Sequence, residues 1–136
     1  MSLLAVRNAL ETALAAINPP LATAWENAPY TPVSGTPYQR VYLLAAEPDN
    51  PEIGGMATER GFLQISLCYP LDTGPGAAMA RAELIRSTFP RGAAFSASGI
   101  TTQIERTPEI APAMIEEDRY VLPVRIRFFA HHGGAA

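Results

Sequence analysis

Few side chains in this sequence have types and spacings that could do chemistry, and what each chemistry requires decides the matter. His131-His132 is the one histidine pair, but adjacent residues on an extended chain point to opposite sides, which is poor geometry for a shared metal. It reads as a solvated end of the chain. Glu116-Glu117-Asp118 offers three carboxylates to a cation, yet it lacks the glycine and the alternating oxygen ligands of a calcium loop and reads as a solvated acidic face. Gly74-Pro75-Gly76 precedes a helix-forming run and could present N–H groups to an anion. It has no lysine and only part of the glycine pattern that cradles phosphate, so it reads as a helix start. Cys68, the one cysteine, lies inside a strand pattern as a small buried hydrophobe, with no disulfide possible within one chain. Serine, cysteine and histidine do not assemble into a nucleophile and base. The expectation is no catalytic, metal or cofactor-binding residue, no cofactor, and no enzyme activity.

Charge placement is more informative. Glu47, Asp49, Glu52 and Glu59 fall in one stretch without a base, and Glu109, Glu116, Glu117 and Asp118 fall in another. Arg125 and Arg127 alternate along the last strand-like run, while Arg81, Arg86 and Arg91 give a second helix a basic edge. All 10 basic residues are arginine, a coding bias or a use of the planar fork that pairs well with carboxylates. A net charge of −3 with dispersed arginines argues against nucleic-acid specificity, because counterion release needs a dense basic patch. Acidic loops and basic faces at different places suit a heterologous, head-to-tail contact. Ordinary surface charge is the alternative. On the first reading the candidate subunit or partner contacts are Glu47, Asp49, Glu52, Glu59, Arg60, Glu116, Glu117, Asp118, Arg125 and Arg127.

These residues need a scaffold, and 136 residues suffice for one domain that buries roughly 65 to 70 % of its unfolded surface. Ser2 caps a helix with Leu3, Val6, Leu10, Leu14 and Ile17 at helical spacing, ended by Asn18-Pro19-Pro20. A short strand within Leu21 to Asn27 is followed by a proline-rich crossing, with Trp25 at the core edge. A second strand covers Tyr38 to Ala46. Glu47 to Arg60 carries Pro48, Pro51 and Gly54-Gly55 and reads as a long acidic loop suited to partner contact. A strand from Phe62 to Tyr69 opens after Gly61, and a helix from about Pro75 to Phe89 follows. Ser96 to Gly99 read as a flexible link to a strand at Ile100 to Arg106. Thr107 to Asp118 read as a break holding one helical turn around Ala113 to Ile115. Tyr120, Leu122, Val124, Ile126 and Phe128 form one apolar face of a last strand, Arg119 to Ala130. The expectation is an α+β fold: a single domain over residues 1–130, with an antiparallel or mixed β-sheet of about four to five strands and two main α-helices packed on one face. Residues 131–136 read as a flexible tail. Met1-Ser2-Leu3-Leu4 lacks the basic start and apolar core of a signal peptide, and no run of about 20 apolar residues spans a bilayer. A soluble cytoplasmic protein without membrane contact is expected.

The order of these features resembles the tail terminator, or minor tail protein U-like, proteins of long-tailed bacteriophages. The likeness rests on the amphipathic first helix, Trp25-Glu26-Asn27 before the proline-rich crossing, Gly61-Phe62-Leu63-Gln64-Ile65 leading through a glycine turn to the helix ending at Phe89, and Tyr120-Val121-Leu122-Pro123-Val124. It covers roughly residues 3 to 130 and consists of structural positions, not a catalytic signature. It implies a non-enzymatic phage or prophage protein, assembled in the host bacterial cytoplasm into the virion tail. Such proteins cap the tail tube as a ring, commonly hexameric, and can stay monomeric until a template presents the partner surface. The implied partners are further copies of the chain, the tail tube protein and the head-tail connector protein. A neck or connector-completion role and a small-molecule-binding α+β domain are the alternatives.

Overall fold

The computed structural model describes residues 2–46 and 57–132. Helix α1 (Ser2–Ala15) buries Val6, Leu10 and Leu14, with Ile17 just beyond its end, and Arg7 pairs with Glu11 one turn on, at 3.0 Å. Helix α2 (Gly76–Thr88) buries Ala78, Ala82 and Ile85, and Phe89 closes it without solvent exposure. Arg81, on the edge of that stripe, is buried too.

Among the described residues eight strands make one mixed sheet: β1 (Thr23–Ala24), β2 (Tyr38–Ala45), β3 (Ala57–Pro70), β4 (Ala94–Ala97), β5 (Ile100–Ile104), β6 (Glu109–Ile110), β7 (Met114–Glu116) and β8 (Arg119–His132). The order is β1-β2-β3-β8-β5-β4, and β6 and β7 also pair with β8. Strand β1 runs parallel to β2, while β2, β3, β8, β5 and β4 are joined antiparallel. Leu63, Ile65 and Leu67 face the same side as their partners Ile126, Val124 and Leu122, and both helices lie on that side in one apolar cluster. Trp25 packs against its margin.

The α+β class and the one-sided helices agree with the sequence. The strand count does not, and the reasons are local. Ser96 to Gly99 read as a flexible link because serine, alanine and glycine are weak strand formers, yet Ser96 and Ala97 end β4, and Ser98 (φ 52°) and Gly99 (φ 77°) make a two-residue hairpin turn of the type that demands positive φ. In place of a helical turn at Ala113 to Ile115, β6 and β7 add to the long edge of β8, separated by a stretch containing Pro112. Glu59 and Arg60 belong to β3 and not to a loop, because the pairing with β8 continues to Ala57. His131 is likewise a strand residue, paired with Thr58 and 2.8 Å from its hydroxyl, so the flexible tail does not begin there.

Two polar clasps fix the crossing between α1 and β2. Arg119 reaches back to donate to the carbonyls of Thr36 (2.6 Å) and Val33 (2.7 Å), with its guanidinium 5.1 Å over the Tyr38 ring. Lysine has one nitrogen on a flexible stem in place of the two pre-oriented nitrogens that each meet one carbonyl here, and it lacks the planar group over Tyr38. Arg119→Lys should therefore cost about 2 kcal/mol, the range for a buried pair of charge-assisted bonds, and should speed proteolysis between residues 28 and 37, measured by urea titration and limited digestion. In the second clasp the Glu26 carboxylate accepts the Leu43 N–H and an Arg7 N–H, each at 3.1 Å. The Leu43 bond, aided by Arg7, holds the carboxyl below its usual range. A depressed folded-state pKa contributes stability that is present above the unfolded value of about 4.3 and is lost as pH falls through the folded one. Glu26→Gln should flatten the acid side of the stability profile between about pH 5 and 3, read by urea midpoints. The effect should be small, because the side chain is 38 % exposed.

Candidate functional site

The helices cover one side of the sheet, and strand alternation sends Tyr42, Leu44, Arg60, Phe62, Gln64, Arg125, Arg127 and Phe129 to the other. The β3–β8 register sets Arg60 opposite Phe129, Phe62 opposite Arg127 and Gln64 opposite Arg125. Cations and rings therefore alternate across the two strands. The guanidinium of Arg60 lies 5.7 Å from the centre of the Phe129 ring, and those of Arg127 and Arg125 lie 5.7 and 5.8 Å from that of Phe62. Arg125 also donates through Nε to Gln64 Oε1 at 3.2 Å, and Arg60 Nη1 lies 3.5 Å from Glu105 Oε1. Tyr42 (41 % exposed) and Leu44 (44 %) extend the patch on β2. A shallow cavity of about 470 Å³ lies at its edge, lined by Leu44, Arg60, Phe62, Glu105 and Arg127.

A guanidinium stacked on a ring is weakly hydrated and pre-oriented, and its N–H edges remain able to take carboxylates. Among the described residues neither Arg125 nor Arg127 is in an ion pair. The patch combines aromatic area with arginines, the side chains most enriched where proteins bind each other. The same residues include no base beside a nucleophile. No group of three or more His, Cys, Asp or Glu that could hold a metal occurs among the described residues.

The opposite end of this sheet face is partly covered and holds a cavity of about 260 Å³ lined by Tyr38, Arg40, Cys68, Glu116, Arg119 and Val121. Tyr38, Cys68 and Val121 form a small second core under Tyr30, which stacks on Tyr38 at 5.1 Å. Burial pushes the Cys68 thiol up, consistent with an unreactive hydrophobe.

The candidate residues from the sequence thus separate. Arg60, Arg125 and Arg127 come together on the open patch. Glu59 is on the other side of β3, only 9 % exposed, opposite Ala130. Glu116 pairs with Arg40 at 3.2 Å, and Glu117 and Asp118 form the β7–β8 turn at the far end of β8. Glu47, Asp49 and Glu52 lie outside the described residues. Phe62, Phe129, Tyr42, Leu44 and Glu105 were missed. Phe62 and Phe129 were visible as members of mixed strand faces, but only the register of β3 on β8 shows that they sit under the arginines.

Among the described residues no helix is long and apolar enough to cross a membrane. No curated protein matches the chain. A solved structure aligns with a TM-score of 0.79 at 21 % identity, over 96 % of this chain and 96 % of its own, which shows a shared fold. A family model described as "Phage tail terminator protein" matches residues 5–128.

Proposed function

Because this chain belongs to the phage tail terminator family and is thereby a structural component of a phage tail, we propose that it caps the tail tube as a ring at the head-proximal end. The open patch carries this reading: three arginines whose guanidiniums lie 5.7 to 5.8 Å from the centres of two phenylalanine rings, on a sheet face that neither described helix covers. On this reading the patch receives carboxylates of a neighbouring copy or of the tail tube protein. The turn at Glu116, Glu117 and Asp118, at the other end of β8, is suited to the complementary side of a head-to-tail contact. Glu47, Asp49 and Glu52 belong to the same proposed set of contacts, whereas the burial of Glu59 on the helix side of β3 removes it from that set; the head-tail connector protein docks on the completed ring. Assembly in the host cytoplasm follows from the same reading, from subunits that form the ring by themselves or on meeting a tube.

Light scattering after size exclusion, on the protein alone and then mixed with tail tubes of the same phage, tests it together with electron microscopy of the tube ends. A ring in solution, or a cap confined to one end of the tube, is expected. A monomer that ignores tube ends but binds connector complexes would assign the chain to the neck instead.

A further inference from the structure

On the helix side of the sheet, Arg81 is 7 % exposed, and its recorded hydrogen bond runs from Nη1 to the carbonyl of Pro19. Its Nε is buried without a partner among the described residues. The ion pairs among those residues use Arg7, Arg40 and Arg60, so Arg81 has no carboxylate. A guanidinium has five donors, and burying it without a counter-charge is costly unless something supplies the acceptors. Burial accordingly lowers its pKa. Arg81 lines a cavity of about 250 Å³ whose other walls include Pro19, Pro20, Leu21, Tyr69, Ala80 and Leu84.

We propose that this cavity is a binding site for a carboxylate carried on an apolar body, with Arg81 as its charged partner and the proline, leucine and tyrosine side chains as the apolar wall. The planar fork matches a carboxylate in a bidentate pair, and an apolar wall strengthens that pair by excluding water. A free aromatic or aliphatic acid and an acidic residue of a partner polypeptide flanked by apolar ones share this chemistry. The site is on the opposite side of the sheet from Arg125 and Arg127 and is independent of their role in assembly.

Two probes separate the sources: phenylacetate, with neutral phenylacetamide as control, and the blocked peptide acetyl-Phe-Glu-Phe-amide, with its Gln counterpart. Binding is read by ligand-observed NMR and by the melting temperature of the full chain. At least one acid should bind, at least tenfold tighter than its neutral partner, and whichever binds names the source. Arg81→Met should erase that preference. Because Arg81 also holds the Pro19 carbonyl, Ala80→Trp provides a second variant, filling the cavity from an exposed helix position while leaving Arg81 in place. It should weaken binding at least tenfold without lowering the melting temperature. The proposal fails if neither acid is preferred over its neutral control, or if the preference survives both substitutions. Ring formation measured alongside should be unchanged, which separates this site from the open patch.

Discussion

Gly61→Val should yield little or no folded protein, with the far-ultraviolet signature and cooperative urea transition both lost. Gly61→Ala should be folded but markedly weakened. A Cβ at Gly61 would lie 2.3 Å from the Leu44 carbonyl oxygen, 3.0 Å from the Ala45 Cα and 3.1 Å from the Phe128 ring. The first two are backbone atoms of the neighbouring strand and cannot rotate away, so β2 must separate from β3, and the Phe128 ring must shift as well. Overpacking a core against side chains costs about 1 to 3 kcal/mol, and a clash with backbone falls at or beyond the upper end of that range. That is a large share of the roughly 5 to 15 kcal/mol by which such a domain is stable. Equal urea midpoints for wild type and Gly61→Ala would show that the strands yield freely at this point.

Replacing both Arg125 and Arg127 by alanine should leave the monomer intact and weaken assembly at least tenfold. Arg127 is exposed and Arg125 half-buried, and their removal frees one face of Phe62 and one oxygen of Gln64. The stability change should stay within about 1 kcal/mol, as for other surface substitutions. At an interface the same side chains meet desolvated carboxylates, where losing one partner commonly costs more than 2 kcal/mol. Lysine at both positions separates charge from shape, because it keeps the cations but lacks the planar stack on Phe62. Ring or cap formation by light scattering and microscopy should fall in the order wild type, double lysine, double alanine. An unchanged oligomer in the alanine pair would remove these arginines from the interface while leaving the fold and family in place.

Much of this architecture was legible because periodicity reports burial directly. The 3.6-residue spacing from Leu3 to Ile17 and the alternation from Tyr120 to Phe128 both predicted the buried side correctly. Gly61 shows where such reading fails. In sequence it looked like punctuation before a strand, whereas it lies inside β3 for lack of space above it. The sequence cannot distinguish a glycine needed for its backbone freedom from one needed for its missing side chain. Residues 94–97 and 109–116 failed for a different reason. They have little strand propensity of their own and are extended because β5 and β8 offer edges to pair with, a tertiary effect. The open patch was half legible. Arg125 and Arg127 stood out as charges within an apolar strand, but their rings come from Phe62, which is 63 residues before Arg125.

Strand β8 pairs with β3, β5, β6 and β7, and it follows all of them in the chain. Before residues 119–132 arrive, the earlier elements can form little more than α1, α2 and the β2–β3 and β4–β5 hairpins, none with a covered core. Most of the contacts that define the native state therefore span long loops and form in one late step, which favours slow folding with few stable partial structures. Amide exchange is the place to see it: the N–H groups of β8 and of its partners on both flanks should exchange together, at the rate of whole-molecule opening.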